Sequence, residues 1–247
     1  MDTDRLLDVL DKEGQLLASA AEEAGAGAEV PTCPGWRVRD LLRHTGAVHR
    51  WAAAYVTDGH TERRPLPEPP ELDGTDLVAW YRDSHRHLVD TLTGAPPDVA
   101  CFTFLPAPSP LAFWTRRQAH ETAVHRCDAE AARDGRARTP SAPDIAPDVA
   151  VDGIDELLRG FHARPRSRVR TSEPRVLRVR AEDADAVWTV RLSQEPPVAV
   201  RGASGDADCE LAGPAGQLYL ALWNRLPVPT VTGDPALAGL WRTAGGI

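Results

Sequence analysis

The sequence of 247 residues has few cysteines, no long apolar run and no excess of basic residues. Its four cysteines include no CxxC pair, which argues against a disulfide scaffold. No apolar stretch approaches the roughly 18–20 residues that a membrane-spanning helix needs, and the acids Asp2 and Asp4 stand where a signal peptide would be positive. We therefore expect a cytoplasmic protein without a membrane partner. The net charge of −8 argues against nucleic acid as a partner, because a nucleic-acid binder must neutralise phosphates.

The composition changes once along the chain, between residues 134 and 147, where three prolines lie within eight residues. Such a stretch cannot continue a helix and is typical of a linker. Before it, hydrophobic residues recur with the period of a helix, whereas many after it alternate with polar residues as in half-buried strands. We therefore predict an α+β protein of two domains, a four-helix bundle at residues 1–139 and a smaller α+β domain at residues 145–247.

The hydrophobic periodicity also predicts the individual elements of each domain. The four helices of the bundle are expected at about residues 3–23, at 36–57, after Thr75, and at 111–133. In the second domain, helices are expected at residues 149–161, 214–223 and 235–242. Strands are expected at residues 175–180, 186–192, 198–201, 208–211 and 228–231.

The fourth predicted helix places ionisable residues on the face that should be buried. Alternating steps of three and four residues along this face pass through Leu111, Trp114, Gln118, Glu121, His125, Asp128 and Ala132. An unpaired buried charge is costly, so such a run needs hydrogen bonds, a metal or a water-filled cavity. Glu121 and His125 are four residues apart, which places both side chains over one patch of the helix surface.

A third candidate ligand, His44, lies on the apolar stripe of the second predicted helix and should point into the bundle. Two imidazoles and a carboxylate suit Zn²⁺ and leave one coordination position open, although the same set can hold another divalent metal such as Fe²⁺. Two other interpretations remain open at this point. The pair Glu121 and His125 also fits a solvated contact within one helix, and His44 also fits a core histidine satisfied by hydrogen bonds.

Two segments of the predicted bundle resemble signatures of the mycothiol-dependent maleylpyruvate isomerase family. The first is PTCPGWRVRDLLRH at residues 31–44, followed by VHRW at 48–51, and the second is ETAVHRCDAE at 121–130. A looser similarity covers residues 218–225 and 233–234 of the second domain. The resemblance implies a DinB-like four-helix bundle followed by the family's smaller α+β domain. One departure is Cys127, which stands where the family commonly has tryptophan.

The resemblance also implies the roles of particular residues. His44, Glu121 and His125 are expected to bind a divalent metal, normally zinc. Asp128 and Arg225 are expected to face the same cleft and to help hold the thiol or the substrate. Arg225 would pair with a carboxylate through its guanidinium, and Asp128 would orient a ligand or accept a hydrogen bond from the cofactor.

The expected function is that of a zinc- and mycothiol-dependent isomerase or thiol transferase. A thiol bound at the open metal position would become a thiolate and attack a small electrophilic substrate, including one that bears a carboxylate. Two alternatives stay open. One is a noncatalytic metal-binding or regulatory protein on the same fold, and the other is a hydrolase that uses zinc-bound water and needs no thiol.

Overall fold

A computed structural model of the chain describes residues 1–136 and 145–246, and the chain divides into two compact units, Met1–Arg138 and Thr139–Ile247. The first unit is helical and the second combines helices with a five-stranded sheet. The predicted fold class, a four-helix bundle followed by a smaller α+β domain, is therefore confirmed. The central part of the predicted linker, residues 137–144, lies outside the described residues.

The first unit contains four long helices, α1 (Thr3–Ala24), α2 (Val38–Asp58), α3 (Gly74–Gly94) and α4 (Pro110–Arg133). Polar residues that cap the N-terminus explain where three of these helices begin. The carboxylates of Asp2 and Asp73 accept backbone N–H groups at the starts of α1 and α3, and the hydroxyl of Ser109 accepts that of Ala112 in α4. Two predicted beginnings were wrong by two residues each, because α2 starts at Val38 and not at Trp36, and Asp73 caps α3 in place of Thr75.

Helix α4 is the central element of this unit. It packs against α1 and α2, and from Phe113 to Ala132 nearly every residue is buried, not only those of one stripe. Alanines at positions such as Ala119, Ala123 and Ala129, all unexposed, allow the neighbouring helices to approach it closely. Polar side chains of α4 are consequently buried on several of its faces. None of the helices in the described ranges combines the length and apolar character of a membrane span.

The second unit opens with α5 (Pro147–Asp155), which continues into a short π-helical turn (Glu156–Phe161). Next come strands β1 (Arg175–Ala181), β2 (Ala186–Leu192), β3 (Val198–Arg201) and β4 (Cys209–Gly213). The unit closes with α6 (Ala215–Leu222), β5 (Thr230–Gly233) and α7 (Pro235–Ala244). The strand order is β3-β2-β1-β4-β5, in which β1 and β4 are parallel and the other neighbours antiparallel.

The core of the second unit lies on one face of this sheet. Val179 pairs with Trp188 on one side and with Leu211 on the other, and all three side chains are unexposed. The alternation that predicted β1 and β2 thus reflects a sheet with one buried face. Strand β5 begins two residues later than expected, at Thr230. All four of its residues are exposed, so its sequence has no alternation of buried and exposed residues from which its position could be predicted.

Candidate metal centre

Three side chains from two helices converge in the first unit. Nε2 of His44, from α2, and Nε2 of His125, from α4, each lie 3.3 Å from Oε1 of Glu121. The three possible ligand atoms all lie within 4.8 Å of one another. The structure therefore brings together the residues that the sequence predicts as metal ligands. Glu121 and His125 are neighbours because they are one turn apart on α4, whereas His44 reaches them through the packing of α2 against α4.

The spacing of these atoms fits a small divalent cation. Nitrogen and oxygen ligands lie about 2.0–2.2 Å from Zn²⁺ in a tetrahedral site, which places the ligand atoms themselves about 3.3–3.6 Å apart. Two of the three separations here, both 3.3 Å, match that geometry. Two imidazoles and one carboxylate are also donors that Zn²⁺ commonly takes in proteins. A metal would thus be held by Nε2 of His44, Nε2 of His125 and a carboxylate oxygen of Glu121.

The centre is open on one side. The side chains of His44 and Glu121 are 31% and 22% exposed, whereas that of His125 is 9% exposed. The indole of Trp36 forms one wall, with its ring centroid 5.1 Å from that of His44 and 6.1 Å from that of His125, on which it stacks. A small molecule can therefore approach from the side of His44 and Glu121.

Asp128 orients His125 through Nδ1, the ring nitrogen that does not face Glu121. Its Oδ2 lies 2.8 Å from Nδ1 of His125, and its two oxygens also accept hydrogen bonds from the hydroxyl of Thr32 (2.6 Å) and the thiol of Cys33 (3.3 Å). A carboxylate that accepts Nδ1–H fixes the ring so that Nε2 faces the metal position. Asp128 has no exposed surface. Of the two roles that the sequence left open for it, orienting a ligand is the one that its burial favours.

The pKa of His125 reflects these contacts. Burial by itself lowers that pKa, but hydrogen bonds to Asp128 and Glu121 outweigh burial and raise it to about 9. Without a metal, Nε2 therefore carries a proton and donates it toward Glu121. A metal ion and this proton compete for the same nitrogen, as at other metal sites that use histidine.

Glu121 remains ionised although it lies inside the bundle. Burial raises its pKa, but hydrogen bonds from His125 and His44 and the nearby positive charge of Arg117 outweigh burial and hold the pKa well below its usual value. Nη2 of Arg117 donates to Oε2 at 3.1 Å, which leaves Oε1 directed at the two imidazoles. Arg117 did not emerge from the sequence as a site residue, although its position four residues before Glu121 is a signal that could have found it.

A tight turn ahead of α2 supplies Thr32, Cys33 and Trp36 to the centre. The N–H of Trp36 donates to the carbonyl of Cys33 at 3.0 Å across Pro34 and Gly35, and Gly35 has a φ of +87°. Proline followed by a residue with positive φ is the sequence of a type II turn, which favours glycine there. Cys33 had no visible partner in the sequence because the residue that it contacts, Asp128, is 95 positions away.

Two other predicted side chains are buried away from solvent. Cys127 lies two residues after His125, roughly 200° round α4, which predicts a small buried residue and not a nucleophile. It is 4% exposed, and burial raises the pKa of its thiol to about 12. His49 lies five residues after His44 and therefore roughly 140° round α2, which predicts that it pairs with an acid or lines the mouth of the site. The structure shows that this prediction is wrong. His49 is fully buried, its Nε2 lies 2.9 Å from the hydroxyl of Thr122, and burial together with nearby His85 lowers its pKa to about 3.

Arg225 belongs to the second unit, where it follows α6. Its Nη1 donates to the carbonyl of Trp223 at 2.8 Å, and the side chain is half-buried. The preceding residue, Asn224, has a φ of +61°, a left-handed conformation that ends the helix and turns the chain at this point. The binding role of Arg225 stays a prediction.

Comparisons with known proteins cover nearly the whole chain. The model of the mycothiol maleylpyruvate isomerase N-terminal domain matches residues 7–130, and that of the MDMPI C-terminal domain matches residues 148–240. A crystal structure of the mycothiol-dependent maleylpyruvate isomerase superposes with a TM-score of 0.60 at 14% identity, covering 94% of this chain and 92% of the other. A histidine-to-alanine mutant of a mycothiol-dependent maleylpyruvate isomerase gives 0.59 at 13% identity, covering 91% and 90%. The comparison with curated proteins finds no significant match. At these identities, the superpositions show a shared fold.

Proposed function

The chain belongs to the mycothiol maleylpyruvate isomerase family, and on this premise we propose that it is a metal- and mycothiol-dependent isomerase or S-transferase. The substrate is a small electrophile, including one that bears a carboxylate. The observation that carries the proposal is the convergence of His44, Glu121 and His125 at a position that solvent reaches. Zn²⁺ is the metal that best suits these donors.

When bound, a divalent metal with an open coordination position supplies a positive charge that lowers the pKa of a thiol and increases its thiolate fraction. The protein's own residues prepare the position. Arg117 holds one oxygen of Glu121, so the other oxygen faces the two imidazoles. Asp128 holds Nδ1 of His125, so Nε2 faces the same point. The contact between Asp128 and His125 is buried, which excludes water as a competitor for it, whereas the contact between Arg117 and Glu121 is partly buried.

The wall formed by Trp36 contributes a flat apolar surface beside two polar ligands. Pockets of this composition bind small organic molecules by contact with the ring and fix their orientation through a few polar groups. We assign recognition of a substrate or cofactor carboxylate to Arg225, because a guanidinium binds carboxylates through paired hydrogen bonds.

The test begins with metal analysis of the purified chain. The protein is then assayed with and without mycothiol on maleylpyruvate and on a panel of other small electrophiles, before and after removal and restoration of the metal. Activity that needs both the metal and the thiol supports the proposal. Turnover without thiol would identify a hydrolase, and a metal-loaded chain that forms no product with any electrophile would identify a binding protein; either result overturns the proposal.

A further inference from the structure

The second unit contains a cavity of about 300 Å³ where the chain leaves the π-helical turn. Its wall includes three arginines, Arg164, Arg166 and Arg168, together with His162 and Ser167. Among the residues that the structure describes, no carboxylate lines this cavity. Its volume lies at the lower end of small-molecule sites, which are about 300–1,000 Å³. We call it the arginine pocket.

The charges of the arginine pocket contrast with those of the neighbouring sheet. There, Arg175 pairs with Asp234 at 2.6 Å and Arg180 with Glu210 at 3.0 Å. In the described part of the chain, no carboxylate lies within ion-pair distance of Arg166, and the recorded contact of Arg168 is a 3.4 Å hydrogen bond to the carbonyl of Gly246. Positive charge is thus concentrated at this cavity, although the whole chain is acidic.

His162 supplies a second, independent sign of a ligand. The residue is 2% exposed, and its Nε2 is buried without a hydrogen-bond partner among residues 1–136 and 145–246. The hydroxyl of Ser167 accepts the N–H of Val169 at 3.4 Å and lies 3.2 Å from Nδ1 of His162. In the tautomer in which this hydroxyl donates to Nδ1, the proton of the neutral ring is on Nε2. An unpaired buried donor is costly and is usually paired in folded proteins.

Burial also keeps the ring of His162 neutral. Burial, followed by the charge of Arg164, lowers the pKa of His162 to about 4, so the ring is neutral at neutral pH. A neutral ring with Nε2–H can donate to an anion without adding a fourth positive charge. The guanidinium of Arg164 is itself held over the ring of Phe161, with Cζ 4.7 Å from the centroid, which limits its freedom to move away.

We propose that the arginine pocket binds a small molecule through a phosphate group. Guanidinium groups match the oxygens of phosphate through paired hydrogen bonds, and three of them balance a doubly charged group better than a single carboxylate. The concave shape and limited volume favour a small ligand over a polymer. This site does not depend on the metal centre or on the proposed enzymatic function.

The test measures binding of inorganic phosphate to the full chain by calorimetry, at constant ionic strength maintained with chloride. Succinate and a short duplex DNA are measured in parallel. The variant Arg166→Gln/Arg168→Gln removes two charges of the pocket. Its matched control, Arg63→Gln/Arg191→Gln, removes two charges from exposed arginines that do not line the pocket. Ser167→Ala tests the contact with His162, and circular dichroism checks that each variant is folded.

We expect one phosphate per chain with a dissociation constant below about 1 mM. The pocket variant should weaken binding at least about tenfold, the control should change it less than twofold, and Ser167→Ala should weaken it by a smaller factor. Equal losses in both double variants would indicate general attraction of an adventitious ion only and overturn the proposal. It would also be overturned by the absence of saturable binding, by tighter binding of succinate, or by DNA binding that depends on the same two arginines.

Discussion

Helix α4 contributes to two clusters of buried ionisable side chains. The two clusters differ in the groups that compensate their charges. The first is the candidate metal centre, with Glu121, His125 and the orienting Asp128; we call it the metal centre below. The second, which we call the Arg126 triad, consists of Arg126 with Glu13 and Glu130. Nε of Arg126 donates to Glu13 at 2.6 Å and Nη1 donates to Glu130 at 2.7 Å. Arg126 is unexposed and the two glutamates are 6% and 7% exposed.

The triad connects helices, because Glu13 belongs to α1 whereas the other two residues belong to α4. Its guanidinium already lies between two carboxylates, and burial raises the pKa of Glu13 against the opposing effect of Arg126. In the metal centre, by contrast, two imidazole nitrogens point at one carboxylate oxygen on a side open to solvent. Burial of charge is therefore common to structural and functional clusters. Convergence of several donors on one accessible point distinguishes the metal centre.

The largest expected effect comes from removing a ligand. His125→Ala should reduce bound metal from about one equivalent to nearly none and reduce activity below about 1% of the wild type, because two ligands rarely retain a divalent ion. Circular dichroism should show the bundle largely unchanged. The control is His87→Ala, which removes an exposed histidine of α3. Full metal occupancy in the His125 variant would show that the ligand assignment is wrong.

Disruption of the Arg126 triad should lower the free energy of unfolding without changing the metal content. Arg126→Met leaves two carboxylates buried near each other without their cation, which should cost about 3–5 kcal/mol of unfolding free energy. Metal content per folded chain should stay at the wild-type value. Urea unfolding followed by the helical signal measures the first quantity.

A triple variant sharpens this prediction. Replacing Glu13, Arg126 and Glu130 together by apolar residues removes the buried charges as a set, so stability should return to within about 1–2 kcal/mol of the wild type. Loss of metal in either variant would contradict the separation of the two clusters.

Within the metal centre, the orienting carboxylate should matter less than a ligand. Asp128→Asn keeps the shape of the side chain but weakens its bond to Nδ1 of His125, so metal affinity should fall about 10–100-fold. Excess metal should restore most of the activity, which would not occur if Asp128 acted directly on the substrate. Competition with a chelator measures the metal affinity of each variant. Thr32→Val, which removes one hydrogen bond to Asp128, should give a smaller loss of metal affinity in this assay.

The smallest effect is expected outside both clusters. Arg225→Ala should leave metal content unchanged and raise KM about tenfold, equivalent to about 1.4 kcal/mol of binding, while kcat changes little. Arg225→Lys, which keeps the charge but not the paired geometry, should recover part of the loss. An unchanged KM on every carboxylate-bearing substrate would remove Arg225 from the proposed function.

Local patterns predicted most elements and the three ligands. The helical period of α2 and α4 indicated that His44, Glu121 and His125 point inward, and four-residue spacing placed the last two on one patch. The same reasoning failed for His49, which was predicted to pair with an acid or to line the mouth of the site because α2 was treated as a helix with one buried face. Helix α2 buries more of its surface than a single stripe, so position on the helical wheel did not predict exposure.

Such local patterns could not predict contacts between distant parts of the chain. Thr32 meets Asp128 across 96 positions, and Glu13 meets Arg126 across 113. Neither pair has a spacing that a period of 3.6 or 2 can reveal, because each depends on how two elements pack. Arg117 is an intermediate case, since its spacing from Glu121 is local but several equally spaced pairs on α4 are not part of the centre.

The amino-acid order alone determined which side chains each helix and strand presents to its own buried face, because that depends only on the repeat of the local backbone. It thereby also determined the chemical types available for a metal. Tertiary packing decided which of the buried ionisable groups meet one another, since Coulomb and hydrogen-bond energies depend on distances of a few ångströms between separate elements. For this reason Glu121 came to lie beside two imidazoles at an open position, whereas Glu13 and Glu130 enclosed an arginine.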